Sequence, residues 1–169
     1  MDRESGAPAL TWAVKDSLVA YVRGAAGGGS VTPVDGATEP EPGVFAFGLA
    51  EPGPDRLAFT GGVQFRAHGG MLDLPIVSPW LERDAAGWCL SIPDPDEAPE
   101  SGIRLVFARV GSVSMDADGA EPGAIRGSDV TLTEEGAMLF FGPYQHGTPL
   151  ADLRVAGLPQ GEAERLSAR

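Results

Sequence analysis

Glycine and proline interrupt this chain along its whole length and limit the secondary structure that it can form. Its 169 residues include 24 glycines and 15 prolines. Both numbers are well above average usage, and the residues are spread out instead of concentrated in one tract. Proline interrupts the pairing of central strands and glycine favours turns, so regular elements must be short. The spread of glycine and proline along the chain therefore predicts many short strands joined by turns.

The one clear helical pattern lies near the start of the chain. Residues 11–23 predict an amphipathic helix, with Thr11 capping its start. Val14, Leu18 and Tyr21 recur at helical spacing and should form its apolar face. The glycine-rich stretch that follows should end the helix.

After this stretch the hydrophobic period falls to two, which is typical of strands. The predicted strands are residues 44–50, 56–68, 71–77, 87–92, 103–110, 124–132 and 137–141, with a Thr-Glu-Glu-Gly turn between the last two. We therefore predict a mainly β fold, an antiparallel β-sandwich or distorted barrel with an N-terminal α-helix, and leave open a short second helix.

The chain is short enough for one domain with a sizeable core. Residues 1–8 are predicted as a polar extension, residues 9–155 as the domain and residues 156–169 as a polar tail. Cys89, the only cysteine, is flanked by apolar residues and should lie in a packed strand.

Charge and hydropathy exclude several classes of partner. The formal net charge is -12 and Lys15 is the only lysine, so nucleic acid and anionic membranes are disfavoured. No apolar run approaches the ~18 residues of a membrane span, and residues 1–9 lack the apolar region of a signal peptide. We expect a cytoplasmic protein, or an extracellular or cell-surface one if the domain was cut from a larger precursor.

Common catalytic motifs are absent from the sequence. It contains no Gly-x-Ser-x-Gly elbow, Walker loop, dinucleotide-binding glycine fingerprint or His-Glu-x-x-His pair. An ordinary hydrolase or nucleotide-dependent enzyme is therefore disfavoured. Two histidines and one cysteine are too few for a typical structural zinc site, although a site built with carboxylates stays open.

Tyrosine and histidine are scarce, and three of these four residues lie in distinctive settings. Tyr21 lies on the helix with Ser17 one turn earlier, His68 precedes two glycines, and Tyr144 follows Phe-Phe-Gly-Pro. Each also has an ordinary structural explanation, a buried ring with one hydrogen bond or a residue that closes a turn. His146 is interpreted as an exposed loop residue without a role.

Three segments of the sequence resemble the HtaA domain, the haem-binding region of actinobacterial haem-uptake proteins. They are residues 10–22, 62–74 and 132–144, which follow the family's order, and the resemblance spans about residues 9–155. It implies a β-rich, sandwich-like fold with helical segments at its ends. Family members are usually exported and often carry several copies of the domain, whereas for this chain we expect one copy and no signal peptide.

The resemblance also implies a cofactor, ferric haem b, and a set of binding residues. Tyr21 would be the axial ligand of the haem iron, His68 its supporting histidine, and Ser17 and Tyr144 would contact the propionates. The porphyrin would be covered by helix residues and aromatic rings, and the propionates would also meet arginines. The candidates are Leu18, Val22, Phe65, Phe140 and Phe141 for the porphyrin, and Arg23 and Arg66 for the propionates.

We therefore predict a non-enzymatic haem-binding protein for haem uptake, transfer or storage. Its expected partner is another haem-binding or transport protein that acts as donor or acceptor, and its oligomeric state stays open. One alternative is a haem-dependent enzyme with peroxidase-like or haem-degrading activity, because a phenolate ligand also occurs in catalase. Another is a β-sandwich interaction module with a vestigial pocket.

Overall fold

The computed structural model describes residues 8–25, 28–116, 123–140 and 144–167. These residues form twelve strands and three helices. The prediction of a mainly β, antiparallel fold with an N-terminal helix is confirmed, and further short helices are present.

Eight antiparallel strands of the described chain close into a barrel. Their order around it is β1 (Ala9–Trp12), β12 (Leu153–Ala156), β11 (Ile125–Leu132), β10 (Arg104–Met115), β9 (Gly87–Pro93), β8 (Trp80–Asp84), β5 (Arg56–Phe59) and β4 (Val44–Pro52). The barrel closes because β1 pairs with β12 on one side and with β4 on the other, so that Leu10 lies opposite both Val155 and Phe47. Closure removes a sheet edge that would otherwise be exposed.

A second, smaller sheet supports the N-terminal helix. It consists of β2 (Ser30–Val34), β6 (Gly62–Ala67) and β7 (Leu72–Val77), with β6 in the middle. The helix α1 (Asp16–Arg23) contacts β2 and β6. The remaining strand, β3 (Thr38–Glu41), pairs with β4 of the barrel. The contacts of α1 with β2 and β6 hold the helix against the small sheet.

Large aromatic side chains fill the interior. The rings exposed by at most 2% are those of Trp12, Phe45, Phe47, Phe59, Phe65 and Phe107. Burial of each such side chain stabilises the fold by about 1.5–3 kcal/mol. The indole of Trp12 is buried without losing its hydrogen bond, because its Nε1 donates to the carbonyl of Ala151 at 2.9 Å.

The predicted start of the first helix is wrong. Thr11 and Trp12 belong to β1, where pairing on both sides and burial of Leu10 and Trp12 override the helical spacing. The helix begins at Asp16, because Val14 has a left-handed φ of 60° that a helix cannot contain. The buried residues of the helix are Leu18, Val19 and Val22.

Two strand predictions are also wrong. The segment 56–68 forms two strands in different sheets, because Gly61 has a φ of 90° and turns the chain between them. The turn and strand predicted before residue 141 are instead the helix α2 (Glu134–Met138), whose first turn is capped by the Thr133 hydroxyl. Phe141 lies outside the described residues.

Five strands have no counterpart among the predicted strands, namely β1, β2, β3, β8 and β12. The helix α3 (Gln160–Ser167) agrees with the helical segment that the family resemblance implies at the end of the fold. The helix α3 lies in the segment predicted as a polar tail, but Ala163 and Leu166 are buried and the helix contacts β10 and β11. None of the helices in the described parts of the chain is long and apolar enough to cross a membrane.

The cysteine should be chemically inert in the folded protein. Cys89 lies on β9 and is 1% exposed. Burial, followed by the nearby carboxylate of Asp84, raises the pKa of the Cys89 thiol to about 11. Because the thiolate is the reactive form, we expect no labelling by a disulfide reagent at mildly alkaline pH until the protein is unfolded. Rapid stoichiometric labelling of the native protein would contradict this expectation.

Candidate functional site

The turn between β6 and β7 places His68 at the end of the small sheet. Three consecutive residues in it have left-handed backbone angles, with φ of 56° at His68, 66° at Gly69 and 97° at Gly70. Histidine tolerates this conformation better than most residues, and glycine adopts it without a steric penalty. The two glycines therefore let the chain reverse direction directly after the imidazole.

The helix α1 is held by its buried face and by an ion pair at its last residue. Arg23 Nη1 lies 2.9 Å from Glu39 Oε2 on β3, and Arg23 Nη2 donates to the Val31 carbonyl on β2 at 2.9 Å. The hydrogen bond from Arg23 lowers the pKa of the Glu39 carboxyl. These contacts tie the end of the helix to both sheets.

Tyr21 is on the helix but does not face the core. It is 53% exposed, so the expectation that its phenol points toward the buried surface is wrong. Its Oη lies 2.7 Å from Nε2 of His68, and the two ring centroids are 5.7 Å apart. This hydrogen bond, whose donor is set by the imidazole tautomer, joins residues 47 positions apart in sequence.

Tyr144 lies near the same helix and extends a series of aromatic contacts from the core. Its ring packs edge-on against Phe140 with centroids 5.0 Å apart, and Phe140 packs against Phe107. Burial raises the pKa of the Tyr144 phenol, the neighbouring Ser17 hydroxyl lowers it, and the charge of Tyr21 raises it, with a net increase. Tyr144 is therefore favoured as a neutral phenol that can donate a hydrogen bond.

These groups surround a cavity of about 620 Å³. Its lining is mainly apolar, and the polar groups on it are two phenols and one imidazole. The lining residues are Leu18, Tyr21, His68, Met71, Leu72, Phe140 and Tyr144. A concave apolar site of this size with a few convergent polar groups is typical of small-molecule and cofactor sites.

The structure brings together the four polar residues singled out from the sequence. Tyr21, His68 and Tyr144 line the cavity, and Ser17 lies beside Tyr144, close enough for its hydroxyl to influence the pKa of that phenol. The structure therefore supplies a common location for them, while their roles stay predictions.

Several of the predicted porphyrin contacts do not reach the cavity. Leu18 and Phe140 line it, but Val22 and Phe65 are fully buried and do not. Phe141 lies outside the described residues. The register of the small sheet, which sends Phe65 into the core, depends on pairing across strands and is not visible in the local sequence.

Other residues of the site were not identified from the sequence. Met71 and Leu72 line the cavity. They follow His68 closely in sequence, and this closeness could have identified them. Lys15 was also missed, although its Nζ lies 5.8 Å from the centroid of the Tyr144 ring. Lys15 could have been identified because it is the chain's only lysine and precedes Ser17 by two residues.

The residues that the structure describes contain no cluster of three or more His, Cys, Asp or Glu side chains that could hold a metal ion. The side chains in the cavity that could bind a metal ion are instead the paired phenol and imidazole of Tyr21 and His68. One phenol oxygen and one imidazole are too few to hold a bare metal ion. They suit a metal complex whose metal ion already has most of its ligands.

A family model described as Htaa matches residues 7–156. The chain belongs to the HtaA family. The resemblance seen in the sequence is thus confirmed. Among curated protein sequences, none matches the chain significantly.

Solved structures of two HtaA domains and of the protein HtaB share the fold. The N-terminal domain of HtaA from Corynebacterium glutamicum has a TM-score of 0.67 at 21% identity, covering 93% of this chain and 99% of that one. The C-terminal domain of the same protein has a TM-score of 0.60 at 23% identity, with coverage of 88% and 94%. The heme binding protein HtaB from that organism has a TM-score of 0.66 at 17% identity, with coverage of 88% and 90%.

The turn that carries His68 should be sensitive to the loss of glycine. An alanine at position 70 would meet no atom within 4 Å, but the φ of 97° disfavours any side chain. We expect Gly70→Ala to lower the free energy of unfolding by about 1–2 kcal/mol, measured by urea denaturation.

Gly161→Ala is the matched control, because position 161 is also open but lies in the helix α3 with an ordinary backbone. This substitution should leave stability unchanged or raise it by up to about 1 kcal/mol. A Gly70→Ala protein as stable as the wild type would show that the turn does not depend on glycine.

Proposed function

We propose that this protein binds ferric haem b, with the Tyr21 phenolate as the axial iron ligand, for haem uptake, transfer or storage. Membership of the HtaA family supports haem as the ligand, as does the fold shared with the heme binding protein HtaB. The observation that carries the proposal is the 2.7 Å hydrogen bond between Tyr21 and His68 at the wall of an apolar cavity.

The donor groups suit iron held in a porphyrin. When bound, haem supplies an Fe(III) centre whose remaining positions accept axial ligands, and tyrosine is an established axial ligand. A phenol has a pKa of about 10 and is a poor anionic ligand unless the metal favours the phenolate. An imidazole N–H that donates to the phenolate oxygen would hold the ring and tune its basicity. The contact between His68 and Tyr21 supports this role.

The remainder of the cavity suits the other parts of haem. Leu18, Leu72 and Phe140 offer apolar surface for the macrocycle. Ser17 and Tyr144 would donate hydrogen bonds to the propionates. The raised pKa of Tyr144 supports this assignment, because a neutral phenol donates to a carboxylate whereas a phenolate would repel it.

The same arrangement favours a carrier that releases its cargo. Anionic oxygen binds Fe(III) more strongly than Fe(II), so reduction should weaken the complex. Tyr21 is 53% exposed, and a side chain that is not enclosed by the core supports exchange of the ligand with another protein. We propose a second haem-binding or transport protein as the donor or acceptor.

A carrier fits the cavity better than a peroxidase-like or haem-degrading enzyme. Among the described lining residues, His68 is the only imidazole and no carboxylate is present. General acid–base catalysis at the ligand would require a positioned group, and His68 already contacts Tyr21. Sustained peroxide turnover by the holoprotein would favour the enzyme instead.

The ligand assignment predicts unequal effects for the two tyrosines. We expect the wild type to bind one hemin per chain, followed by titration and visible absorption. Tyr21→Phe should weaken binding by more than about 100-fold and change the spectrum, because it removes the proposed iron ligand. Tyr144→Phe, the matched control, should keep the wild-type spectrum with a smaller loss of affinity.

His68→Ala separates the supporting histidine from the ligand itself. It should reduce hemin affinity by about 10–100-fold and shift the absorption bands while leaving tyrosine ligation in place. Wild-type spectra and affinity in Tyr21→Phe would refute the ligand assignment, and the same result in His68→Ala would refute the supporting role.

A further inference from the structure

The only lysine of the chain lies beside the Tyr144 end of the cavity. Lys15 is the N-cap residue of α1 and precedes Ser17 by two positions. Its Nζ lies 5.8 Å from the centroid of the Tyr144 ring and donates a hydrogen bond of 3.1 Å to the Pro149 carbonyl. The ammonium group is therefore tethered next to two residues already assigned to the cavity.

The two arginines first considered for the propionates are engaged elsewhere. Arg23 pairs with Glu39 at 2.9 Å, and Arg66 pairs with Asp73 at 3.2 Å. In the described ranges of the chain, no carboxylate lies within ion-pair distance of Lys15 Nζ. Within those ranges, no acidic side chain neutralises the charge of Lys15.

We propose that Lys15 provides the positive charge that recognises the carboxylates of the bound ligand at the Ser17–Tyr144 end of the cavity. This inference rests on the proposed haem-binding function and adds to it a charged specificity residue. A chain with a net charge of -12 repels a ligand that carries two carboxylates, and one local cation offsets part of that repulsion.

The tether makes Lys15 better suited to this role than an unrestrained surface lysine. An ammonium group has three N–H donors, and Pro149 accepts one of them. The hydrogen bond to Pro149 and the face of the Tyr144 ring restrict the side chain before the ligand arrives. Less conformational entropy is then lost when a carboxylate binds.

The experiment compares hemin with hemin dimethyl ester, which has the same macrocycle and iron but no carboxylates. Both are titrated into the wild type, Lys15→Gln and Lys15→Arg. We expect Lys15→Gln to weaken hemin binding by roughly three- to tenfold and to leave ester binding unchanged, while Lys15→Arg keeps most of the hemin affinity. An equal loss for both ligands would mean a structural role, and no loss for either would mean no role. Both results would overturn the proposal.

Arg83→Gln on β8 is the matched control, because it removes one positive charge from a side chain that contacts Asp55 and Trp88, neither of which lines the cavity. It should leave hemin affinity unchanged. A loss equal to that of Lys15→Gln would assign the effect to net charge and overturn the proposal.

Salt dependence gives a test that needs no variant. In the wild type, the preference for hemin over its ester should shrink as salt rises, because the carboxylates would lie near a cation that is only partly buried. A preference that does not change with salt would overturn the Lys15 proposal even if Lys15→Gln failed to fold. Absence of wild-type hemin binding would instead refute the proposed function, so the two failures are distinguishable.

Discussion

The hydrogen bond between Tyr21 and His68 is the contact on which the candidate site depends. It joins α1 to the turn between β6 and β7, two parts of the chain that only the folded structure brings within 2.7 Å. The ion pair between Arg23 and Glu39 holds the end of the helix near the sheets, and the left-handed turn at Gly69 and Gly70 holds the imidazole. Tyr21 and His68 both line the cavity, so the contacts that hold the helix and the turn also position part of its wall.

The fold class could be predicted because glycine, proline and the period of two are local signals. The errors arose where long-range contacts override such signals. Trp12 falls within the segment 11–23 predicted as a helix but is paired on both sides in β1, and Val14 adopts a left-handed backbone that prevents an earlier helix start. The segment 160–167 is polar in sequence, yet Ala163 and Leu166 are buried because the helix packs on the barrel.

The polar part of the site was more predictable than its apolar wall. Tyr21, His68, Ser17 and Tyr144 lie in segments that resemble the HtaA domain, and in the structure three of them line one cavity while Ser17 lies beside Tyr144. The choice of apolar residues depends on sheet register, which no local pattern shows.

The most direct test of the central claim is resonance Raman spectroscopy of the ferric hemin complex, excited in the phenolate-to-iron charge-transfer band. Wild type, Tyr21→Phe and Tyr144→Phe are compared. If Tyr21 is the axial ligand, tyrosinate vibrations appear in the wild type and in Tyr144→Phe and are absent from Tyr21→Phe. Their persistence in Tyr21→Phe, or their absence from the wild type, would contradict the account.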